Sequence, residues 1–451
     1  MKLSEIAQTL QQVGVAPVRT LGQNFLHDQN LARWIVHQAQ LSAHDFVLEI
    51  GPGLGAITGP ALETGARILA IEKDGRLADF LRRRFEGERL EIIHGDALRF
   101  EVKQLFPRGP VKLLGNLPYY ISTELLLRFL EKPTPITLAV LMLQNEVARR
   151  LSAIPRSKDY GILGLVLQSR YQVEFLRSIP ASVFLPRPEV DSALVRLRPR
   201  APGELPPYDR ELFLALARRG FSQRRKQVGK LLREMVSDWP EAARQIGAKQ
   251  TARAEELSLG QWIGLTNLLR PPSVIESGND PAETFAVVDE KDRVVGAAPR
   301  RQVHGNNLRH RAVHIFLFNC AGELLLQKRS QSKDQHPGLW DSSAAGHVGA
   351  GEAYEASASR ELGEELGVTA RLERMAKIPA SAQTGQEFIW LYRAEHEGPF
   401  APARGEIETV QFFPREVIAR WLDERPADFA PGFVACWRCL VKNLPNETIS
   451  A

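Results

Sequence analysis

Three stretches of this 451-residue chain carry side chains placed for chemistry. The first, Gly115-Asn116-Leu117-Pro118-Tyr119-Tyr120, follows the apolar run Val111-Lys112-Leu113-Leu114. The Asn116 amide oxygen and a backbone carbonyl of Leu117 or Pro118 can each accept one N–H of an exocyclic adenine amine. Such an amine attacks poorly because its lone pair is delocalised into the ring, and two fixed acceptors orient it and favour its sp³ form. Pro118 fixes the local backbone so that its neighbour's carbonyl stays aimed. Tyr119 offers a ring face to a flipped base. Taken alone, the same residues also describe a proline turn closing a strand.

The second stretch, "VLEIGPGLG", sets Gly51, Gly53 and Gly55 directly after a strand-like run, where the backbone can approach a bulky ligand. Glu72 ends the next run and can accept from both hydroxyls of a ribose. Asp96 ends the third and suits an adenine amino group. Successive strand ends line the edge of an open α/β sheet where ligands bind. An anionic pocket suits a cationic sulfonium and repels a pyrophosphate, which favours S-adenosylmethionine over a nicotinamide dinucleotide.

The third stretch, residues 346–368, reads "GHVGAGEAYEASASRELGEELGV". Glu361, Glu364 and Glu365 stand at i, i+3 and i+4, on one face of a helix that Gly367 stops. Three like charges on one face destabilise a helix unless a divalent cation neutralises them. Hard oxygen ligands imply Mg²⁺ or Mn²⁺, which would bridge a diphosphate and polarise an attacking water. A solvated acidic helix is the plain alternative.

Apolar runs alternating with helical patterns from about 30 to 145 predict a parallel sheet with helices on both faces. Residues 200–270 look helical and basic. Arg224, Arg225, Lys226 and Lys230 fall within "SQRRKQVGK", spaced to spread along a helix that contacts RNA phosphates or simply faces solvent. The segment "RPPSVIESGNDPAE" has the composition of a linker. A mixed α+β pattern follows, with strands expected in "TFAVVDE", "AVHIFLFN", "ELLLQKRS" and "FIWLYRAE". The expected domains are therefore 1–198, 199–270, a linker at 271–283, and 284–451. Net charge is +5, permitting a nucleic-acid partner without requiring one. No apolar run reaches 18 residues, so no membrane span is expected. Three cysteines and an N-terminus without an apolar core suggest a reducing cytoplasm. The lone Cys436-x-x-Cys439 lacks a partner pair for zinc and is read as packing.

Residues 15–270 resemble the small-subunit ribosomal RNA adenine N6-dimethyltransferases. The matching stretches are "LGQNFLHD", "EIGPGLG", "NLPYYIS", "LMLQNEVARRL", "SKDYG" and "FLPRPEVDSALVRL". The resemblance implies a Rossmann-like methyltransferase domain with a small helical domain. It implies that Asn24 and Leu26 lie over the cofactor and that Gly51, Glu72, Asp96 and Asn116 line it. Phe184 would stack on the target adenine opposite Tyr119. The implied substrate is a pair of adjacent adenines in a 3′-terminal hairpin of small-subunit rRNA, within an immature subunit. Large-subunit relatives share the first motifs, but "SKDYG" and the long helical tail favour the small-subunit branch.

Residues 283–440 resemble the Nudix hydrolases, with every fixed position of the box filled. The resemblance makes Glu361 and Glu365 metal ligands, Glu364 a further ligand or base, and Arg360 their orienting partner; Gly346 shapes the loop before the helix. The surrounding sequence is most similar to isopentenyl-diphosphate isomerase and its hydrolase-like cousins. The isomerase's catalytic cysteine position holds Ala345, so hydrolysis of a diphosphate compound is expected. His304, His310 and His347 echo the isomerase's metal histidines or serve as structural residues. Competing readings are a non-catalytic assembly factor at the N-terminal side and a ligand-sensing or isomerase-like remnant at the C-terminal side.

Overall fold

The structure, a computed structural model, describes residues 3–15, 23–201, 203–271, 283–331, 333, 335–403 and 405–443. The linker expected at 271–283 lies outside these apart from Pro271 and Glu283, as do Leu21 and Gly22 of the first motif. The chain divides into two compact units, residues 1–201 with 210–266, and residues 202–209 with 267–451.

The first unit is built on seven strands: β1 Phe46–Ile50, β2 Arg67–Glu72, β3 Leu90–His94, β4 Val111–Asn116, β5 Ile136–Gln144, β6 Tyr171–Ile179 and β7 Ser192–Pro199. Their order is β3-β2-β1-β4-β5-β7-β6. The first five are parallel. Strand β1 is buried at every position, the expected reading of a central strand covered on both faces. The sheet is not parallel throughout, because β7 runs antiparallel to both β5 and β6. Strand β6 escapes a periodicity reading because, as an edge strand, it mixes exposed and buried positions without an apolar run.

Register brings the parallel strand ends level. Ile50 pairs with Ile71 and Gly115, and Glu72 with His94. Gly51, Glu72 and Asn116 therefore stand in one row, where the strand order reverses. That is the crevice in which open α/β sheets bind ligands.

Four helices follow the sheet, Arg210–Gly220, Val228–Leu231, Trp239–Gln245 and Leu259–Leu269. The expectation that "SQRRKQVGK" spreads along one helix is corrected. Residues 221–227 form a turn between the first two helices, and of Arg224, Arg225, Lys226 and Lys230 only Lys230 is helical. The helices on either side of the turn are closely packed at their glycines. A β-carbon on Gly220 would stand 2.5 Å from the Trp262 ring, and one on Gly229 2.2 Å from Trp239. Phe221 is wedged between Trp262 and Tyr160 of "SKDYG", with ring centroids 5.8 and 6.1 Å away.

The second unit carries a nine-stranded sheet: β8 Thr284–Val288, β9 Val294–Pro299, β10 His310–Phe318, β11 Leu324–Arg329, β12 Trp340–Asp341, β13 Ala344–His347, β14 Glu373–Ile378, β15 Glu387–Glu395 and β16 Ile407–Phe413. Strand β10 is central, parallel to β15 and antiparallel to β13. The helix Tyr354–Leu366 lays Ala358, Leu362 and Leu366 against Val313, Ile315 and Leu317 of β10. Gly367 ends it in the left-handed conformation at φ 70°. Among the described residues, no helix is long and apolar enough to cross a membrane.

Two candidate active sites

In the first unit an open cleft lies over the strand ends. Asn24, Leu26, Gly51, Gly53, Glu72, Asp96, Asn116 and Pro118 all line it. Gly53 has φ +59°, which favours glycine, and a β-carbon there would crowd the Phe25 ring at 3.1 Å. Its N–H donates to Glu72 Oε2 at 3.0 Å, and the Asp74 N–H donates to Oε1 at 2.9 Å. The carboxylate is thereby held in one orientation with lone pairs left for a ligand's hydroxyls. Burial raises the Glu72 pKa against these two bonds. Asp96 caps the turn at Leu98 and accepts from Lys73 Nζ at 2.8 Å, a bond that lowers its pKa.

The Asn116 Nδ2 donates to the Asn24 carbonyl at 3.0 Å. Its Oδ1 is left to accept. The amide that sequence spacing marks as an acceptor is thus oriented by a residue 92 positions away. Tyr119 is pinned through its hydroxyl, 2.6 Å from Ser192 Oγ. Phe184 does not line the cleft. It pairs with Leu26 in a two-residue ladder and is 2% exposed within the apolar cluster of Leu31, Ile35 and Leu194. A base can stack on its ring only after that cover moves. Leu117 is buried, and its N–H donates to Met142 O, which leaves its carbonyl as the group available for chemistry.

Ser192 and Glu49 carry no assigned role in the sequence reading. Glu49 is an acid inside the apolar β1 run, the one signal that marked it. It accepts from the Thr58 hydroxyl at 2.8 Å, and burial pushes its pKa up to about 7.

The basic turn is exposed at Arg224, Arg225 and Lys226, as is Lys230. Arg224 is also committed internally. It donates to Lys158 O at 2.7 Å and lies 3.4 Å from Glu255. The other three present charge to solvent.

In the second unit the carboxylate helix presents its acids unequally. Glu365 is 1% exposed, Glu361 is buried, and the Glu364 side chain is largely exposed. Arg360 Nη1 donates to Glu361 at 2.8 Å and Glu364 at 2.9 Å, while Nε donates to Glu352 at 3.0 Å. Glu365 Oε2 accepts from Gln327 Nε2 at 3.0 Å and the Ala345 N–H at 2.9 Å. Burial pushes the pKa of Glu361 up to about 7 and that of Glu365 up to about 8. A β-carbon on Gly346 would stand 2.0 Å from the Glu361 carboxyl carbon. Carboxylates short of positive charge, beside a space that only glycine leaves open, fit a hard divalent cation. Gln327 escaped the sequence reading because it acts across 38 positions.

His304, His310 and His347 come together, with one ring nitrogen of each within 4.8 Å of the others. Glu387 lies 3.2 Å from His347 Nε2 and 3.5 Å from His310 Nε2. Burial pushes the His347 pKa down to about 3, and burial of Glu387 is outweighed by its two histidines, which hold it well below the carboxylate range. Cys436 is buried and Cys439 half-buried, as packing residues would be.

A family model for ribosomal RNA adenine dimethylase matches residues 18–270, and one for the NUDIX domain matches residues 308–433. The ribosomal RNA small subunit methyltransferase A of Chlorobium phaeobacteroides is 41% identical over 257 residues, covering 57% of this chain and 95% of the relative. That of Alcanivorax borkumensis is 38% identical, covering 58% and 94%. Among solved structures, the 23S rRNA methyltransferase ErmE is 28% identical with TM-score 0.46, covering 55% of this chain and 99% of its own. A Deinococcus radiodurans protein is 28% identical with TM-score 0.30, covering 32% and 90%.

Proposed function

The chain belongs to the ribosomal RNA adenine dimethylase family and carries a NUDIX domain after it, and from that premise we propose that it joins two enzymes in the cytoplasm. The first dimethylates N6 of two adjacent adenines in a 3′-terminal hairpin of small-subunit rRNA, within an immature subunit. The second hydrolyses a diphosphate compound with Mg²⁺ or Mn²⁺. The boundary between them is assigned to 271–283.

The observation that carries the first reading is the Asn116 amide, tied at Nδ2 and open at Oδ1, in line with a Gly-rich turn and two acids. S-adenosylmethionine supplies the methyl group. Glu72 would hold its ribose hydroxyls and Asp96 its adenine, with Asn24, Leu26, Gly51 and Gly53 lining the same cleft. Asn116 Oδ1 and the Leu117 or Pro118 carbonyl accept the two N–H bonds of the target amine. This directs the lone pair toward the methyl donor and stabilises the charge that develops on nitrogen. Tyr119 supports the flipped base, and Phe184 takes its other face once uncovered. Arg225, Lys226 and Lys230 meet phosphates, with Arg224 bracing their turn. The test is incubation with labelled S-adenosylmethionine and immature small subunits; absence of label at adenine N6 sinks this reading.

For the second enzyme the carrying observation is the pair of buried acids, Glu361 and Glu365, beside the Gly346 cradle. A divalent cation held there would supply Lewis-acid activation of water and of the diphosphate. Glu361 and Glu365 would hold it, Glu364 would ligate or accept a proton, and Arg360 would fix their geometry. Phosphate release from a diphosphate panel is the assay, and a Glu365→Gln variant with the wild-type rate rules the helix out as the site. The histidine trio and Glu387 favour one further reading, a transition-metal centre of imidazole and carboxylate donors. Elemental analysis of the purified protein tests it, and a preparation without bound transition metal refutes it.

A further inference from the structure

Tyr120 belongs to the stretch that places Asn116, yet the chemistry above leaves it unused. The two neighbouring tyrosines leave the strand end in opposite directions. Tyr119 reaches across β5: its hydroxyl lies 2.6 Å from Oγ of Ser192, the first residue of β7. Tyr120 serves the other side of the point where the strand order reverses. It lines the cleft together with Lys73, which follows β2, and with Gly95, Asp96 and Ala97, which follow β3. The Asp96 bond raises the Lys73 pKa and the Tyr120 phenol adds to it, which agrees with a phenol turned toward that ammonium.

The backbone that carries Tyr120 is fixed. Residues Tyr119–Ile121 form one tight turn after Pro118. The Ile121 N–H donates to Pro118 O at 3.2 Å, and the Ser122 hydroxyl donates to Tyr119 O at 3.1 Å. The helix Ser122–Leu130 ties this turn to the segment after Asp96, because Arg128 donates from Nε and Nη2 to Phe100 O at 3.0 and 2.7 Å. Ala97, Ile121 and Leu125 share one apolar cluster, and all three line the cleft. Two aromatic side chains line it as well. Phe25 is buried against Gly53, whereas Tyr120 is 54% exposed. An uncovered ring on a fixed backbone, beside apolar walls, has a face free for a flat ligand. Asp96 stands ready for the amino group of such a ligand. Its Oδ1 accepts from the Leu98 N–H and its Oδ2 from Lys73 Nζ, which leaves a lone pair on each oxygen.

We propose that Tyr120 is the aromatic wall of the cofactor's adenosyl group, stacking on its adenine while Tyr119 serves the target adenine. The inference rests on the methyltransferase reading above. Two adjacent tyrosines on one turn thereby divide two adenines between them, one on each side of Asn116.

The test is calorimetric titration of the full chain with S-adenosylhomocysteine and with 5′-methylthioadenosine, which keeps the adenosyl half and lacks the amino-acid half. Neither titration needs RNA or turnover. Tyr120→Ala weakens both ligands by the same factor, about 5- to 100-fold, the range for a base stacked on one aromatic ring. Tyr120→Phe holds both within about twofold of wild type, because the ring and not its hydroxyl makes the contact. Should Tyr120→Ala fail to fold, Tyr120→Leu takes its place, with a loss expected for both ligands. Unchanged affinity in Tyr120→Ala overturns the proposal, and a slowed single turnover in that same variant would give the ring to the target adenine instead. A loss for S-adenosylhomocysteine alone also overturns it, since the ring would then face the amino-acid half. So does a loss in Tyr120→Phe equal to that in Tyr120→Ala. If the wild-type chain binds neither ligand, the cofactor reading itself falls. If wild type and Tyr120→Ala bind both equally, only the role of Tyr120 falls.

Discussion

Gly346→Ala separates the geometry of the second site from the stability of the unit that holds it. A β-carbon there would stand 2.0 Å from the Glu361 carboxyl carbon and 2.1 and 2.5 Å from its oxygens. Non-bonded carbons settle near 3.5 Å, so the carboxylate must withdraw by roughly 1.5 Å. The backbone gives no resistance, since Gly346 is extended in β13 opposite Val313 and alanine is at ease there. Glu361 ends in a rotatable chain, so the withdrawal costs the fold little beyond the 2.8 Å bond from Arg360. That loss is worth about 1–2 kcal/mol. Metal binding suffers more, because ligand distances tolerate only about 0.2 Å. A loss of roughly 10–100-fold in Mn²⁺ affinity follows. Gly363→Ala is the matched control: nothing lies within 4 Å of its β-carbon, and the helix gains about 0.5–1 kcal/mol. The assays are Mn²⁺ titration, phosphate release, and the unfolding transition that Mn²⁺ shifts. Wild-type Mn²⁺ affinity in Gly346→Ala refutes the reasoning, as does an equal fall in Gly363→Ala.

Asn116→Ala removes one acceptor of the target amine and lowers single-turnover methyl transfer by about 10²–10³-fold, with S-adenosylmethionine affinity changed far less; equal loss in both would make Asn116 a cofactor residue only. Glu49 has a folded pKa of about 7 against the 4.5 of a glutamate in water, so the folded state holds its proton more tightly. Its contribution to stability is greatest below pH 4.5 and falls as pH rises toward 7, by at most about 3 kcal/mol. Glu49→Gln keeps the Thr58 bond and stabilises the first unit at pH 8 but not at pH 4.5; a gain independent of pH, read from denaturant midpoints, contradicts this. Gly229→Ala drives a β-carbon to 2.2 Å from Trp239, which is buried and anchored to Gln250 O. The first unit is expected to lose about 1–3 kcal/mol while phosphate release stays unchanged, as thermal melts and the hydrolysis assay will report.

The parts of both sites that were legible in the sequence are those whose chemistry is local. Gly51, Glu72, Asp96 and Asn116 each end an apolar run, and the parallel register levels three of them. Glu361, Glu364 and Glu365 need only helical spacing. The supporting contacts close over long separations that leave no periodic trace: Asn24 to Asn116 across 92 positions, Tyr119 to Ser192 across 73, Gln327 to Glu365 across 38. The basic segment failed for a different reason. Its composition favours a helix, but residues 221–227 turn between two helices whose facing glycines, Gly220 and Gly229, pack against Trp262 and Trp239. Phe184 was read from a motif, and burial depends on what packs over it rather than on what flanks it.

The bond from Asn116 Nδ2 to the Asn24 carbonyl makes the amide a dependant of the Asn24 segment, which lines the same cleft. Two methylations of one adenine consume two molecules of S-adenosylmethionine. If the Asn24 segment parts to exchange spent cofactor for fresh, the amide loses its brace in the same movement and lets go of the amine. Cofactor turnover and grip on the half-finished base are then a single event. On the proposed mechanism a singly methylated adenine would be gripped anew for its second methyl, and the monomethyl product would accumulate when S-adenosylmethionine is scarce.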